Sequence, residues 1–107
     1  MSNDGLGYWP NISPPSVTQP VAASVIAVAL GMSLAATGFV SSTETLASTQ
    51  FEVRTAPNGG GSLVYSTSGA TVPALTLSLG QTYYVRARFT GSLGYVSAWS
   101  SDILITT

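Results

Sequence analysis

Residues 82–89 alternate strictly between apolar or aromatic side chains and more polar ones. No other feature of the chain constrains its fold as much. One face of an extended strand would carry Tyr83, Val85, Ala87 and Phe89, and the other face would carry Thr82, Tyr84, Arg86 and Arg88. This period of two predicts a β-strand that is buried on one face. Residues 50–55 follow the same pattern, with Phe51 and Val53 inward and Glu52 and Arg54 outward.

Short β-rich runs separated by turn residues fill most of the chain, which is typical of a sandwich of antiparallel strands. We predict strands near residues 25–29, 32–39, 50–55, 62–66, 74–77, 82–90 and 101–106. The run Pro57-Asn58-Gly59-Gly60-Gly61 and residues 91–94 are predicted turns. At 107 residues the chain has room for one core. The expected fold is an all-β, antiparallel Greek-key sandwich of about seven strands over residues 21–107.

The composition argues against several classes of function. With three Lys or Arg residues and a net charge of -1, the chain cannot neutralise many phosphates, so we expect no nucleic-acid partner. It has no histidine and no cysteine, which removes the usual general base, thiolate metal ligands and disulfides. The four carboxylates are spread over separate segments. We therefore expect a protein that is not an enzyme, with no catalytic residue, no metal and no cofactor.

Residues 21–40 are uncharged and have the length of a membrane span. Glycine and hydroxyl residues interrupt this run, Pro20 precedes it, and neither end has a flanking Lys or Arg. We expect no membrane span, and a membrane-anchored chain remains a third alternative. Residues 1–20 lack the positive start of a signal peptide, and the absence of cysteine fits assembly in a reducing cytoplasm.

Residues 1–20 contain four of the six prolines together with Gly5 and Gly7, which predicts an extended N-terminal arm. Tyr8 and Trp9 are the two large aromatic residues in this arm. Two interpretations of the pair are open. The rings fold back as a lid on one end of the core, or they anchor the protein to a partner.

The string Leu77-Ser78-Leu79-Gly80-Gln81-Thr82-Tyr83-Tyr84-Val85-Arg86 resembles the corner between strands E and F of fibronectin type III domains. The resemblance implies that Tyr83 is a tyrosine corner, with its hydroxyl bonded to nearby backbone and Leu77 as its packing partner. Residues 94–101 look like the following turn of that family. Within them, Val96-Ser97-Ala98-Trp99-Ser100 is similar to a WSxWS box in which Val96 replaces the first tryptophan.

The segments around Phe51, Tyr83 and Trp99 together resemble fibronectin III-like domains of tailed-phage structural proteins. This resemblance implies a non-enzymatic virion protein, assembled in the host cytoplasm, that decorates the capsid or belongs to the tail. Its expected partner is a larger capsid or tail protein, with further copies of the chain on the same particle. The alternative is a carbohydrate or host-surface binding module that uses Tyr65, Tyr84, Tyr95 and Trp99 as stacking platforms.

The outward face of the two central strands would gather every arginine of the protein next to Glu52 and Tyr84. In one interpretation the cluster is internal: Glu52 pairs with an arginine and Trp99 lies over a guanidinium group. In the other, Tyr84, Arg86, Arg88 and Trp99 form a surface that binds a partner, because Arg, Tyr and Trp are frequent anchors of interfaces.

Overall fold

A computed structural model describes residues 12–107, and within them the protein is an all-β sandwich. Its strands are β1 (Ser16–Gln19), β2 (Met32–Ser33), β3 (Ala35–Thr37), β4 (Leu46–Arg54), β5 (Leu63–Thr67), β6 (Thr71–Val72), β7 (Thr82–Gly91) and β8 (Ile103–Thr106). One 3-10 turn, Val28–Leu30, precedes β2. Among the described residues no helix is long and apolar enough to cross a membrane.

The larger sheet has four antiparallel strands in the order β5-β4-β7-β8. Opposite it lie two short antiparallel pairs, β1 with β3 and β2 with β6. Side chains from both layers form one buried cluster: Met32, Leu34, Val72 and Leu77 from the smaller layer, and Phe51, Val53, Tyr83, Val85, Ala87 and Ile105 from the larger sheet. The core therefore lies between the two layers, and the opposite face of the large sheet points to solvent.

The alternation in residues 82–89 has the predicted effect. Tyr83, Val85, Ala87 and Phe89 are buried, and the residues between them lie on the outer face of the sheet. Phe51 and Val53 of β4 are buried opposite Ala87 and Val85 of β7. Since these two strands make the longest pairing of the fold, they provide the rigid surface on which the outer residues stand.

The strand predicted at residues 25–29 is wrong. Val25 makes one isolated parallel bridge with Thr106, and the chain then enters the Val28–Leu30 turn. Gly31 follows at a φ of 75°, and a Cβ there would meet the backbone carbonyl of Val72. The close approach of these two backbones demands a glycine, and it redirects the chain before β2 begins.

Two further strand predictions need correction. The predicted strand at 32–39 is divided into β2 and β3, which pair with different neighbours. The strand expected at 74–77 is replaced by the short β6 at Thr71–Val72. Pro73 follows β6 directly, and Leu75 has a φ of 64°, which is incompatible with a regular strand.

Part of the segment assigned to the arm belongs to the sandwich. Ile12 and Pro15 are buried, and β1 pairs with β3 before Pro20. Because β1 contains none of the four prolines, its backbone donors remain free for this pairing. Tyr8 and Trp9, the aromatic pair predicted to form either a lid on the core or an anchor for a partner, lie outside the described residues.

Tyr83 begins the buried face of β7, and its ring belongs to the core cluster together with Leu77. Its hydroxyl accepts a 2.8 Å hydrogen bond from the backbone N–H of Ser78. The hydroxyl thereby holds the turn at residues 78–81 against the start of β7. This is the local geometry that the resemblance to a tyrosine corner implied.

Candidate functional site

The outer face of β4 and β7 carries the charged cluster, and the strand register decides which side chains meet. Glu52 lies opposite Arg86, Gln50 opposite Arg88, and Arg54 opposite Tyr84. Directly opposed residues on one face of an antiparallel pair have Cβ atoms about 5 Å apart, so long side chains can interact. The sheet therefore brings all three arginines, Glu52 and Tyr84 together.

Glu52 is the centre of this cluster, and it is only 8% exposed although it points away from the core. One oxygen, Oε1, accepts hydrogen bonds of 2.9 Å from Arg54 Nε and from Arg86 Nε, and lies 2.8 Å from a terminal nitrogen of Arg86. Burial alone would raise the pKa of Glu52. The hydrogen bonds and positive charges of the two arginines outweigh burial, so the pKa lies below its ordinary value of 4.5.

The Trp99 ring lies against two of the three arginines, Arg86 and Arg88. The Cζ atoms of Arg86 and Arg88 lie 4.1 Å and 4.6 Å from the centroid of the Trp99 ring, within the range of cation–π attraction. Arg88 also donates from Nε to Gln50 Oε1 at 3.0 Å. The guanidinium groups are therefore engaged by the protein's own side chains, which favours the internal interpretation of the cluster.

Two serines hold the segment that carries Trp99. β8 pairs with β7 only as far as Val85, which leaves the edge of β7 at Ala87 and Phe89 without a partner strand. The Oγ atoms of Ser97 and Ser100 accept 2.9 Å hydrogen bonds from the N–H groups of Phe89 and Ala87 respectively. In return, the N–H groups of Ser97 and Ser100 donate to the carbonyls of Phe89 and Ala87 at 2.8 Å.

The serine positions explain why Trp99 lies on the arginines. Ser97 and Ser100 are buried and fix the backbone on both sides of Trp99 along the edge of β7. The sequence pattern predicts no role for Ser97 or Ser100, although both lie within the segment that is similar to a WSxWS box, and it predicts none for Gln50. The available signal was the spacing of Ser97 and Ser100 around Trp99.

The turn between β4 and β5 lies over the same face. A Cβ on Gly59, which has a φ of 74°, would come within 3.1 Å of both terminal nitrogens of Arg86. The backbone N–H of Asn58 donates to Asp102 Oδ2 at 2.7 Å. The turn therefore packs on Arg86 and is held at its tip by a carboxylate that follows the Trp99 segment.

We call the uncharged surface around Leu30, which lies away from this face, the Leu30 surface. Leu30, Val25 and Leu75 are 82%, 76% and 76% exposed, and Val21 is exposed beside them. Leu30 borders two open grooves of about 310 and 370 Å³, one lined by Val21 and Val25 and the other by Val72 and Pro73. Leu30 thus forms a ridge between two grooves.

The aromatic residues proposed as sugar platforms do not share a surface. Tyr65 lies opposite Val53 and packs against the core, whereas Tyr84 is on the outer face of the sheet. Tyr95 is exposed in the turn after β7, and Trp99 has guanidinium groups stacked on its ring. These four residues cannot contact one small glycan together.

No family model matches the chain, and no curated protein matches it. Among solved structures, the chain is similar to the crystal structure of Streptomyces avermitilis α-L-rhamnosidase complexed with L-rhamnose, with a TM-score of 0.62 and 18% sequence identity over 91% of this chain. The chain spans 10% of the length of that rhamnosidase chain. At this level of identity, the likeness shows the β-sandwich fold and does not extend to function.

Proposed function

We propose that the protein is a non-enzymatic structural accessory of a tailed-phage virion, either a capsid decoration protein or a tail-associated module. In this role it binds a larger capsid or tail protein. The resemblance to fibronectin III-like domains of phage structural proteins supports the virion context. The Leu30 surface supports a docking role, because a protruding leucine on an uncharged surface gains free energy when a partner covers it.

The chemistry of the Leu30 surface defines the partner. Its lining residues carry no charge, so the complementary surface of the scaffold should be uncharged as well, with apolar side chains opposite Leu30. The fixed backbone at Gly31 and the pairing of β2 with β6 hold this surface in one shape. A preformed surface loses little conformational entropy on docking.

The proposal is tested with virions purified from a host lysate that contains this chain. Quantitative mass spectrometry should find the chain at a fixed copy number per particle. In particles assembled with Leu30→Asn, that copy number should fall at least about tenfold, which is the effect of a modest interface anchor. Leu63→Asn, which changes an exposed leucine on edge strand β5, is the matched control and should leave the copy number unchanged.

Two results would contradict the proposal. One is a chain that is absent from purified virions, and the other is full occupancy of the Leu30→Asn variant. Glycan-array binding by the isolated protein, in the absence of particles, would instead support the carbohydrate-binding alternative.

A further inference from the structure

One end of the sandwich exposes a second group of large apolar side chains, which we call the Leu93 end. It comprises the end of β7, the turn after it and the residues before β4; its exposed members are Val40 (66%), Leu46 (45%), Leu93 (67%), Tyr95 (57%) and Val96 (40%). Among the described residues, Glu44 is the one charged side chain at this end. It is buried, and its Oε1 accepts a 2.9 Å hydrogen bond from the N–H of Leu93. The exposed surface of this end is therefore uncharged among the described residues, and its large apolar side chains lie among exposed Ser and Thr residues.

The N-terminal part of the chain enters the sandwich at this same end. Ile12 is buried, and its Cδ1 atom lies against Gly91, the last residue of β7. The next residue, Ser13, donates from its backbone N–H to the carbonyl of Val40 at 3.1 Å, and its Oγ accepts from the N–H of Val40 at 3.0 Å. Residues 12 and 13 thus fix the position at which residues 1–11 are joined to the sandwich.

Chain length limits where Tyr8 and Trp9 can be. Trp9 is three residues before Ile12 and Tyr8 is four, so their Cα atoms lie at most about 11 Å and 14 Å from that of Ile12. The 10-residue strand β7 spans about 30 Å from Thr82 to Gly91. The two rings cannot reach the far end of the sandwich. A contact with their own chain is therefore limited to the part of the sandwich near Ile12, which includes the Leu93 end.

We propose that Tyr8 and Trp9 cover the exposed apolar residues of the Leu93 end within the same chain. An enclosed aromatic ring buries roughly 150 to 250 Å², so contact with the exposed apolar side chains of this end would be favourable. The short tether gives the rings an effective concentration of about millimolar or higher at this surface, which favours the chain's own segment over a separate occupant. Pro10 restricts Trp9 to extended conformations and reduces the entropy lost when the segment binds.

This proposal is independent of scaffold docking, because the Leu30 surface and the Leu93 end share no residue. A double-mutant cycle on the full chain tests it, with the unfolding equilibrium in urea measured for wild type, Trp9→Ala, Leu93→Ala and the double variant. The two substitutions should be coupled at least about fivefold in the unfolding equilibrium constant. Trp9→Ala with Leu30→Ala is the matched control cycle and should show no coupling.

The cycle is repeated over a hundredfold range of protein concentration, with the oligomeric state followed by analytical ultracentrifugation. Coupling that is independent of concentration supports the proposal. Coupling that disappears on dilution would mean that the rings bind the Leu93 end of a second copy, and it would overturn the intramolecular assignment. Additive effects of Trp9→Ala and Leu93→Ala would overturn it too, and would leave the two rings free to bind another protein.

Discussion

The guanidinium group of Arg86 lies 4.1 Å from the ring centroid of Trp99 while its Nε donates to Glu52. Arg86 therefore links three parts of the fold: β4 through Glu52, β7 through its own backbone, and the segment after β7 through Trp99. A side chain that is held on two sides has little freedom to rearrange for a partner. This arrangement favours a structural role for the outer face and makes the role testable.

Replacement of Arg88 by alanine distinguishes the two interpretations of the arginine cluster. Arg88 bonds Gln50 and stacks on Trp99, so an internal role predicts a loss of about 1 to 2 kcal/mol in unfolding free energy, while binding to the scaffold survives. A binding role predicts that the unfolding free energy of the free domain is unchanged, while its binding to the scaffold is weaker by about 2 kcal/mol or more. Urea unfolding and a virion-binding assay measure the two effects.

Thr90→Ala changes the next residue on the outer face of β7 and serves as the control for Arg88→Ala. Its effect on unfolding should stay within about 0.5 kcal/mol, as for most surface substitutions. If Arg88→Ala has equally small effects on stability and on attachment, both interpretations of the cluster are wrong.

The paired state of Glu52 predicts a pH dependence of stability. Since the two arginines hold the pKa of Glu52 below 4.5 in the folded protein, this carboxylate stabilises the fold above its unfolded pKa. That contribution is lost as the pH falls through the lower folded pKa. The unfolding free energy of wild type should exceed that of Glu52→Gln by at least about 1 kcal/mol near neutral pH.

The same pair of proteins, compared in urea from neutral pH down to acid, isolates Glu52 from the other carboxylates. The difference in unfolding free energy between wild type and Glu52→Gln should shrink below about pH 4.5. A difference that is constant across this range would show that ionisation of Glu52 contributes nothing to stability.

The sequence predicts the large sheet well and the smaller layer poorly, and the physical reasons differ. In β7 each side chain faces either the core or solvent, so the burial pattern is visible in the residue types themselves. Residues 20–31 are apolar except for Ser24, yet Val25 and Leu30 are exposed. The path of this segment depends on contacts with Thr106 and Val72, which are distant in sequence. The residue types in this segment do not indicate those contacts.

The site divides in a similar way. The alternation in β4 and β7 places Glu52 and the arginines on the same outer face, so their meeting could be anticipated from the residues. The position of Trp99 could not be derived in the same way, because it depends on Ser97 and Ser100 replacing a strand at the edge of β7. Serines are common in turns, and their type alone does not indicate this role.

Removing the hydroxyl of Tyr83 tests whether its hydrogen bond with Ser78 stabilises the start of β7. In Tyr83→Phe the N–H of Ser78 loses its acceptor, so the unfolding free energy should fall by about 1 to 3 kcal/mol. Tyr84→Phe changes the neighbouring ring on the outer face and should alter stability by less than about 0.5 kcal/mol. Chemical unfolding of the two variants measures the difference. Equal unfolding free energies would argue against a stabilising role for the Tyr83 hydroxyl.

Ser100→Ala tests whether the serines replace a strand along β7. Ser100 is buried, and its Oγ is the acceptor for the N–H of Ala87, which is fully buried in the middle of the sheet edge. Alanine leaves that N–H without its acceptor, at a cost of about 1 to 3 kcal/mol in unfolding free energy. The exposed neighbour provides the control, since Ser101→Ala removes a hydroxyl at the surface and should cost less than about 0.5 kcal/mol.

Hydrogen exchange gives a second, local readout of the Ser100 hydroxyl. The Ala87 amide should exchange faster in Ser100→Ala, while the Val85 amide within the β7–β8 pairing keeps its protection. If the Ala87 amide stays as protected as in wild type, the backbone bond from Ser100 to the Ala87 carbonyl is sufficient by itself, and the hydroxyl is not what holds Trp99 over the arginines.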